Sequence, residues 1–149
     1  MTFYEFIQGF TDSIIAAQNV SIAAESLGLG VNYFGNIHNN TKHIIELLDL
    51  PKLTYPAVGL GFGLANQKPQ LKPRMDINLK TFENYYQVFD NYNEKISAYD
   101  KEMTTYYDLR DANRRVDSFS KQIPVKQGSL IANRNKMFET LIDQGFIVK

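Results

Sequence analysis

Apolar positions recur at helical spacing from the start of the chain. Phe3, Phe6, Ile7, Phe10, Ile14, Ala17, Ala24 and Leu27 form one stripe, and Thr2 with Glu5 makes an S/T-x-x-E capping box in front of it. Ile15, Val20 and Ile22 widen the apolar surface, so the spacing predicts a long helix buried on more than one side. Ala16, Ala17, Ala23 and Ala24 would let another helix approach, and Gly28 or Gly30 ends the run. The stretch VNYFG, 31–35, is short, aromatic and β-prone. NIHNNT reads as a loop in which Asn40 or Thr41 caps a short helix through Ile44, Ile45, Leu47 and Leu48, closed before Pro51. In TYPAVGLGFGLA, Val58, Leu60 and Phe62 alternate with Gly59, Gly61 and Gly63. A strand there has one bulky face and one of bare backbone, against which a helix or a planar ligand is expected to pack.

The second part of the chain is less regular. NQKPQLKPRMD is a polar loop broken by proline, and TFENYYQVF reads as a short strand or irregular chain. From about Asn91 a helix places Ile96, Tyr99, Met103, Tyr106 and Arg110 on one face. DANRRVDSFSKQIPVKQG reads as a polar connector broken at Pro124 and Gly128. A final helix carries Leu130, Ile131, Met137, Phe138, Leu141 and Ile142, with Gly145 as its cap and FIVK as a short strand or tail. The order of elements predicts an α+β fold, rich in helix, in a single domain over 1–149.

Charge adds a polarity along the chain. Lys plus Arg and Asp plus Glu both total 16, a balance that argues against a dedicated nucleic-acid binder. No Lys or Arg precedes Lys42, so an anionic ligand would meet the later part of the chain. The absence of cysteine excludes disulfides, thiolate metal sites and a cysteine nucleophile. No apolar run approaches membrane-spanning length, and the expected setting is cytoplasmic, away from membranes. Aromatic residues reach 13%, which points to a large interface or a flat ligand.

Several groups of residues carry candidate chemistry. Gly28, Gly30 and Gly35 do not have the G-x-G-x-x-G spacing of a dinucleotide loop, and the run closes a helix instead of opening one. It reads either as a helix cap followed by a turn, or as a place where Gly35 lets backbone approach a flat ring beside Tyr33 and Phe34. Lys72 and Arg74 flank Pro73 and read either as two cations converging on one anion or as a solvated loop. Arg110, Arg114 and Arg115 either grip a phosphate or pair with Asp108, Asp111 and Asp117. His38 and His43 read as surface or interface histidines, and no metal site is expected. No serine elbow, distinctive carboxylate pair or phosphate-binding loop is present, so no catalytic residue is singled out.

Taken in order, AAQNVSIAAESLGLGVNYFGNIHNN, LLDLPKLTYPAVGLGFGLANQKPQLKPRMD, YYDLRDANRRVDSFS and LIDQGFIVK resemble the FMN-dependent nitroreductase superfamily, in its NADPH-preferring flavin reductase and nitroreductase A branch. The resemblance runs over essentially the whole chain. It implies a nitroreductase-like α/β sandwich, a homodimer with FMN at its interface, and hydride transfer from NADPH through the flavin to a nitroaromatic, a quinone or free flavin. By the same resemblance Tyr33, Phe34, Gly35 and Asn36 pass along the isoalloxazine, and Lys72 and Arg74 reach the flavin or its phosphate. Arg110 with Arg114 or Arg115 holds the NADPH phosphate.

The chain departs from the family pattern in places. Where the family has Gly-Gly-x-Arg-Asn, it has Gly35-Asn36-Ile37-His38-Asn39. Asp49 replaces a glycine and Phe119 a tryptophan. The family's N-terminal half, which supplies a phosphate-binding segment and several core elements, has no counterpart here, so the resemblance implies uncovered apolar surface. An alternative reading is therefore a non-catalytic fragment that acts only as a dimerising or complementing piece.

Overall fold

In a computed structural model, residues 2–110, 118–128 and 134–146 are described. They fall into two compact units, Met1–Gln67 with Leu130–Lys149, and Lys68–Ser129. Six α-helices and a two-stranded sheet make up the regular structure of the described residues, so the fold is helix-rich α+β as expected.

The first unit is built on α1 (Phe3–Ser26). Its capping box forms as the sequence predicts. The Thr2 hydroxyl accepts from the Glu5 amide (3.2 Å), and the Thr2 amide donates to the Glu5 carboxylate (2.6 Å). The Thr2 amide, and less strongly the Thr2 hydroxyl donating to the same carboxylate (3.0 Å), hold the Glu5 carboxyl below the usual carboxylate range. The helix ends in a Schellman motif. Gly28, at φ +76°, donates to Glu25 O, and Leu29 donates to Ala24 O.

The expected burial of α1 on more than one side is not what the chain itself provides. Phe6, Ser21 and Ala24 are buried, whereas Ile15 and Ile22 are 57% and 56% exposed. The described elements cover one stripe of the helix and leave the widened apolar surface open.

After α1 come β1 (Gly30–Phe34) and a 3-10 turn over Gly35–Asn40, where a loop was expected. Next is α2 (Thr41–Leu47), capped by the Asn40 side chain accepting from the His43 amide. β2 (Gly59–Gly63) pairs antiparallel with β1, with Phe34 opposite Gly59 and Tyr33 opposite Leu60. The core of this unit is Phe6, Leu141 and Phe146, with Phe10 and Tyr55 packed against it. α6 (Met137–Asp143) supplies Leu141 and ends in a second Schellman motif at Gly145, φ +93°. There Phe146 donates to Leu141 O, and both side chains enter the core. Gln144 stitches this end to the 51–54 segment, its side-chain amide donating to Thr54 O (3.0 Å) and its carbonyl accepting from the Leu53 amide (2.8 Å).

The second unit runs irregularly through 68–76 and 80–91, then into α3 (Tyr92–Lys95) and α4 (Ser97–Arg110). TFENYYQVF is irregular, one of the two expected outcomes. Met103, 1% exposed, and Tyr106 form the buried side of α4. The expected connector is instead partly helical: α5 spans Phe119–Gly128 with Pro124 inside it. Its first turn is tied to α4, where the Asp100 carboxylate accepts from both the amide (2.9 Å) and the hydroxyl of Ser120. That charged acceptor satisfies a first-turn donor and favours the helix N-terminus, offsetting the bond that Pro124 cannot make. Leu130 and Ile131, the first apolar positions expected in the last helix, lie outside the described residues.

Candidate functional site

Strand alternation sends Tyr33 and Phe34 to opposite faces of the β1–β2 ribbon. Tyr33 faces α1. Its hydroxyl accepts from Ser21 Oγ (2.6 Å) and donates to Gln18 Oε1 (3.2 Å), so the strand is anchored on the helix that precedes it. Phe34 lies on the glycine face. A Cβ added to Gly61 would stand 2.8 Å from Phe34 Cε2, and one added to Gly59 would stand 3.0 Å from Phe34 Cβ. What packs on the bare face is this chain's own Phe34 ring, in place of the helix or planar ligand expected there. A side chain at Gly61 would run into the Phe34 ring and one at Gly59 into Phe34 Cβ and Ile37, whereas Gly63 faces open space.

Gly35 opens the 3-10 turn that follows. A Cβ added to it meets nothing within 4 Å, and Asn36 beside it is exposed. The backbone at Gly35–Asn36 is thus uncovered on a ribbon anchored to α1 through Tyr33. Further along the turn, His38 Nε2 lies 2.9 Å from Ala57 O, and Asn39 Oδ1 accepts from the Arg134 guanidinium. Such a run can take a flat ring along its main chain, with Tyr33, Phe34, Gly35 and Asn36 contiguous in the first unit.

Lys72 and Arg74 belong to the second unit, on the exposed loop before the 3-10 turn at Ile77–Leu79. Lys72 Nζ stands 6.0 Å from the centroid of the Tyr107 ring, at the outer range of a cation–π contact. Arg74 lines a cavity of about 330 Å³ with Asp76, Asn78, Lys95, Tyr99 and Glu102. Both cations are solvent-exposed and free to meet an anion. Arg110 is the last residue of α4. Its side chain, and all of Arg114 and Arg115, lie outside the described residues.

One cluster escaped the sequence reading. His38 is half-buried within this chain, and its ring stacks with that of Tyr55 (centroids 6.4 Å apart, 19° between planes) beside Phe10. Burial pushes the Tyr55 phenol above its ordinary value, and the Thr41 hydroxyl opposes that shift. The signal was weak because Tyr55 is remote in sequence from His38 and Thr41, and no periodicity links them. Among the described residues no group of three His, Asp or Glu is gathered as for a metal ion, and no helix is long and apolar enough to cross a membrane.

Residues 72–149 match the nitroreductase family, C-terminal domain, and the chain belongs to that family. Among curated proteins, it is 39% identical over 146 residues to an oxygen-insensitive NADPH nitroreductase of Salmonella typhimurium, covering 97% of this chain and 59% of that protein. It is 37% identical over 119 residues to an FMN reductase (NADPH) of Bacillus subtilis, covering 79% and 48%. Among solved structures, a hypothetical oxidoreductase from Bacillus subtilis superposes with a TM-score of 0.87 at 31% identity, over 99% of this chain and 59% of that one. The chain thus spans about half the length of the curated relatives it matches.

Proposed function

We propose that residues 1–149 act as one nitroreductase-like domain, the C-terminal portion of an FMN-dependent oxidoreductase that takes reducing equivalents from NADPH to a small acceptor such as a nitroaromatic, a quinone or free flavin. The observation that carries this reading is the 39% identity to an NADPH nitroreductase over nearly the whole chain. The uncovered backbone at Gly35–Asn36 fits the group: a flat ring can lie there without displacing a side chain. FMN, when bound, supplies the redox chemistry by accepting a hydride and passing its electrons on.

This chain's own residues then bind and orient. Phe34, Gly35 and Asn36 present main chain to the ring, and Tyr33 holds that strand on α1 through Ser21 and Gln18. Lys72 and Arg74 supply charge for the flavin or its phosphate, and Arg110 with Arg114 or Arg115 for the phosphate of NADPH. The lack of cysteine suits a cytosolic setting.

The exposed apolar side of α1 favours a second feature, association. In the reading preferred here a second copy covers it, giving a homodimer. In the alternative, the chain is a non-catalytic piece that complements another polypeptide. The test is to purify the chain, record its visible absorption, and follow NADPH oxidation with FMN added. Flavin binding with NADPH turnover is expected. A colourless, inactive sample that gains neither on adding FMN would leave the complementing role in its place.

A further inference from the structure

We propose that His38, Thr41 and Tyr55 enclose a water-sized polar site, and that through it His38 is a positioning residue for the Tyr33–Asn36 run. The positioning half of this proposal rests on the flavin reading above; the site itself does not.

Three buried polar atoms of the first unit have no hydrogen-bond partner: His38 Nδ1, Thr41 Oγ1 and Tyr55 Oη. Thr41 is only 1% exposed, so solvent does not serve it. Buried polar groups are otherwise nearly always paired, and three orphans in one neighbourhood point to a shared partner. They do share a neighbourhood. The His38 and Tyr55 rings stack, and Thr41 follows His38 by three residues at the start of α2. The Thr41 hydroxyl is near enough to the Tyr55 hydroxyl to act on its ionisation, yet the two make no hydrogen bond of acceptable geometry.

The donor inventory fits one water. Ala57 O can only accept, so His38 Nε2, 2.9 Å away, carries the ring proton and donates it. Nδ1 of the neutral ring is then an acceptor. The two hydroxyls can each donate or accept. A single water donating to Nδ1 and to one hydroxyl oxygen, while accepting from the other hydroxyl, satisfies all three groups.

The consequence is mechanical. His38 is held at both nitrogens, at Ala57 on one side and at the hydroxyl pair on the other. Ala57 lies two residues before β2, and β2 pairs with β1. The ring therefore closes a loop from β1 through the 3-10 turn to β2, and its placement sets the backbone at Gly35–Asn36. An unheld ring would let that turn drift.

The experiment reads the His38 ring nitrogens by 15N NMR in the 149-residue chain, at a pH of roughly 8 where histidine is ordinarily neutral. FMN titrations are followed by flavin fluorescence. Thr41→Val, Tyr55→Phe and their combination are compared with the parent chain. The expected parent ring carries its proton on Nε2. The double variant shifts the Nδ1 resonance and weakens FMN binding by roughly tenfold, as loss of a buried hydrogen-bonded anchor does, with the far-UV spectrum unchanged. If the double variant does not fold, the two near-isosteric single variants are read in the same way. A parent ring protonated on Nδ1, or an Nδ1 resonance that the variants leave unmoved, overturns the site. A moved resonance with unchanged FMN affinity overturns the positioning role. A parent chain that takes up no FMN sinks the flavin reading, and with it the positioning role, while the ring resonances still decide the site.

Discussion

Around Phe6, aromatic rings meet other rings; on the β1–β2 ribbon a single ring, Phe34, meets bare backbone. Phe6 packs edge-on against Phe146 (4.9 Å between centroids) and Tyr55 (5.5 Å), and tilted against Phe10 (5.6 Å). Phe34 lies over Gly59 and Gly61, where any Cβ would intrude. Phe6 is buried and Phe34 is 41% exposed, and the packing of the first depends on volume supplied, that of the second on volume withheld. The first should therefore fail when a side chain is removed, and the second when one is added.

The largest effect is expected at Phe6. Phe6→Ala leaves a void bordered by the rings of Phe3, Phe10, Tyr55 and Phe146, and should cost about 3–5 kcal/mol, read as a lowered urea midpoint. A loss below 1 kcal/mol would mean that the cluster is not the core of its unit. Next comes the ribbon. Gly61→Val forces Phe34 off the glycine face and should cost about 1–3 kcal/mol. Combining it with Phe34→Leu, which leaves room, should recover part of that cost. Strict additivity in this cycle would show that the ring and the bare backbone are not coupled.

A pair of glycine substitutions separates backbone conformation from space. Neither Gly28 nor Gly35 has an atom near a prospective Cβ, but only Gly28 has positive φ. Gly28→Ala should cost about 1–2 kcal/mol through the left-handed conformation alone. Gly35→Ala should change stability by less than about 0.5 kcal/mol while lowering FMN affinity, because its methyl group would stand where the ring is proposed to lie. Equal thermal shifts for the two would remove the distinction. FMN affinity unchanged in Gly35→Ala would count against a ring at that position.

What the sequence made legible follows the range of the interactions. The capping box at Thr2 and Glu5, the Asn40 cap and the glycine stops at Gly28 and Gly145 are settled within a few residues of chain, and each is where the pattern places it. The alternation of Leu60 and Phe62 with glycines likewise marked a strand with one bare face. Its occupant was not legible, because Phe34 is brought to it by pairing across a turn and a helix. Pro124 argued locally against helix, whereas the helix start is held at Ser120 by the carboxylate of Asp100, remote in sequence. The apolar breadth of α1 was read correctly as a pattern; what covers it depends on more than the elements described. For the candidate site, Gly35 and its neighbours stood out by type and order, whereas His38, Thr41 and Tyr55 are tied together only by the fold.

Tyr55 joins the Phe6 cluster to the turn that follows β1, since its ring meets Phe6 on one side and His38 on the other. It gives the smallest effect and the one that depends on pH. Burial raises its phenol above the ordinary value of 10.0, so the folded state prefers the neutral form. A folded-state pKa raised above the unfolded one contributes stability that is fully present below the unfolded value and is lost as pH rises through the folded value. Tyr55→Phe removes the ionisation and keeps the ring. Near neutral pH it should leave the Phe6 cluster intact and lower the unfolding midpoint only modestly, since it takes one hydroxyl from the proposed bridging water and leaves His38 and Thr41 on it. Above pH about 10 the parent should lose stability more steeply than the variant. Urea unfolding of both proteins on the two sides of that pH tests this. Parallel alkaline slopes would show that the phenol is not desolvated in the fold.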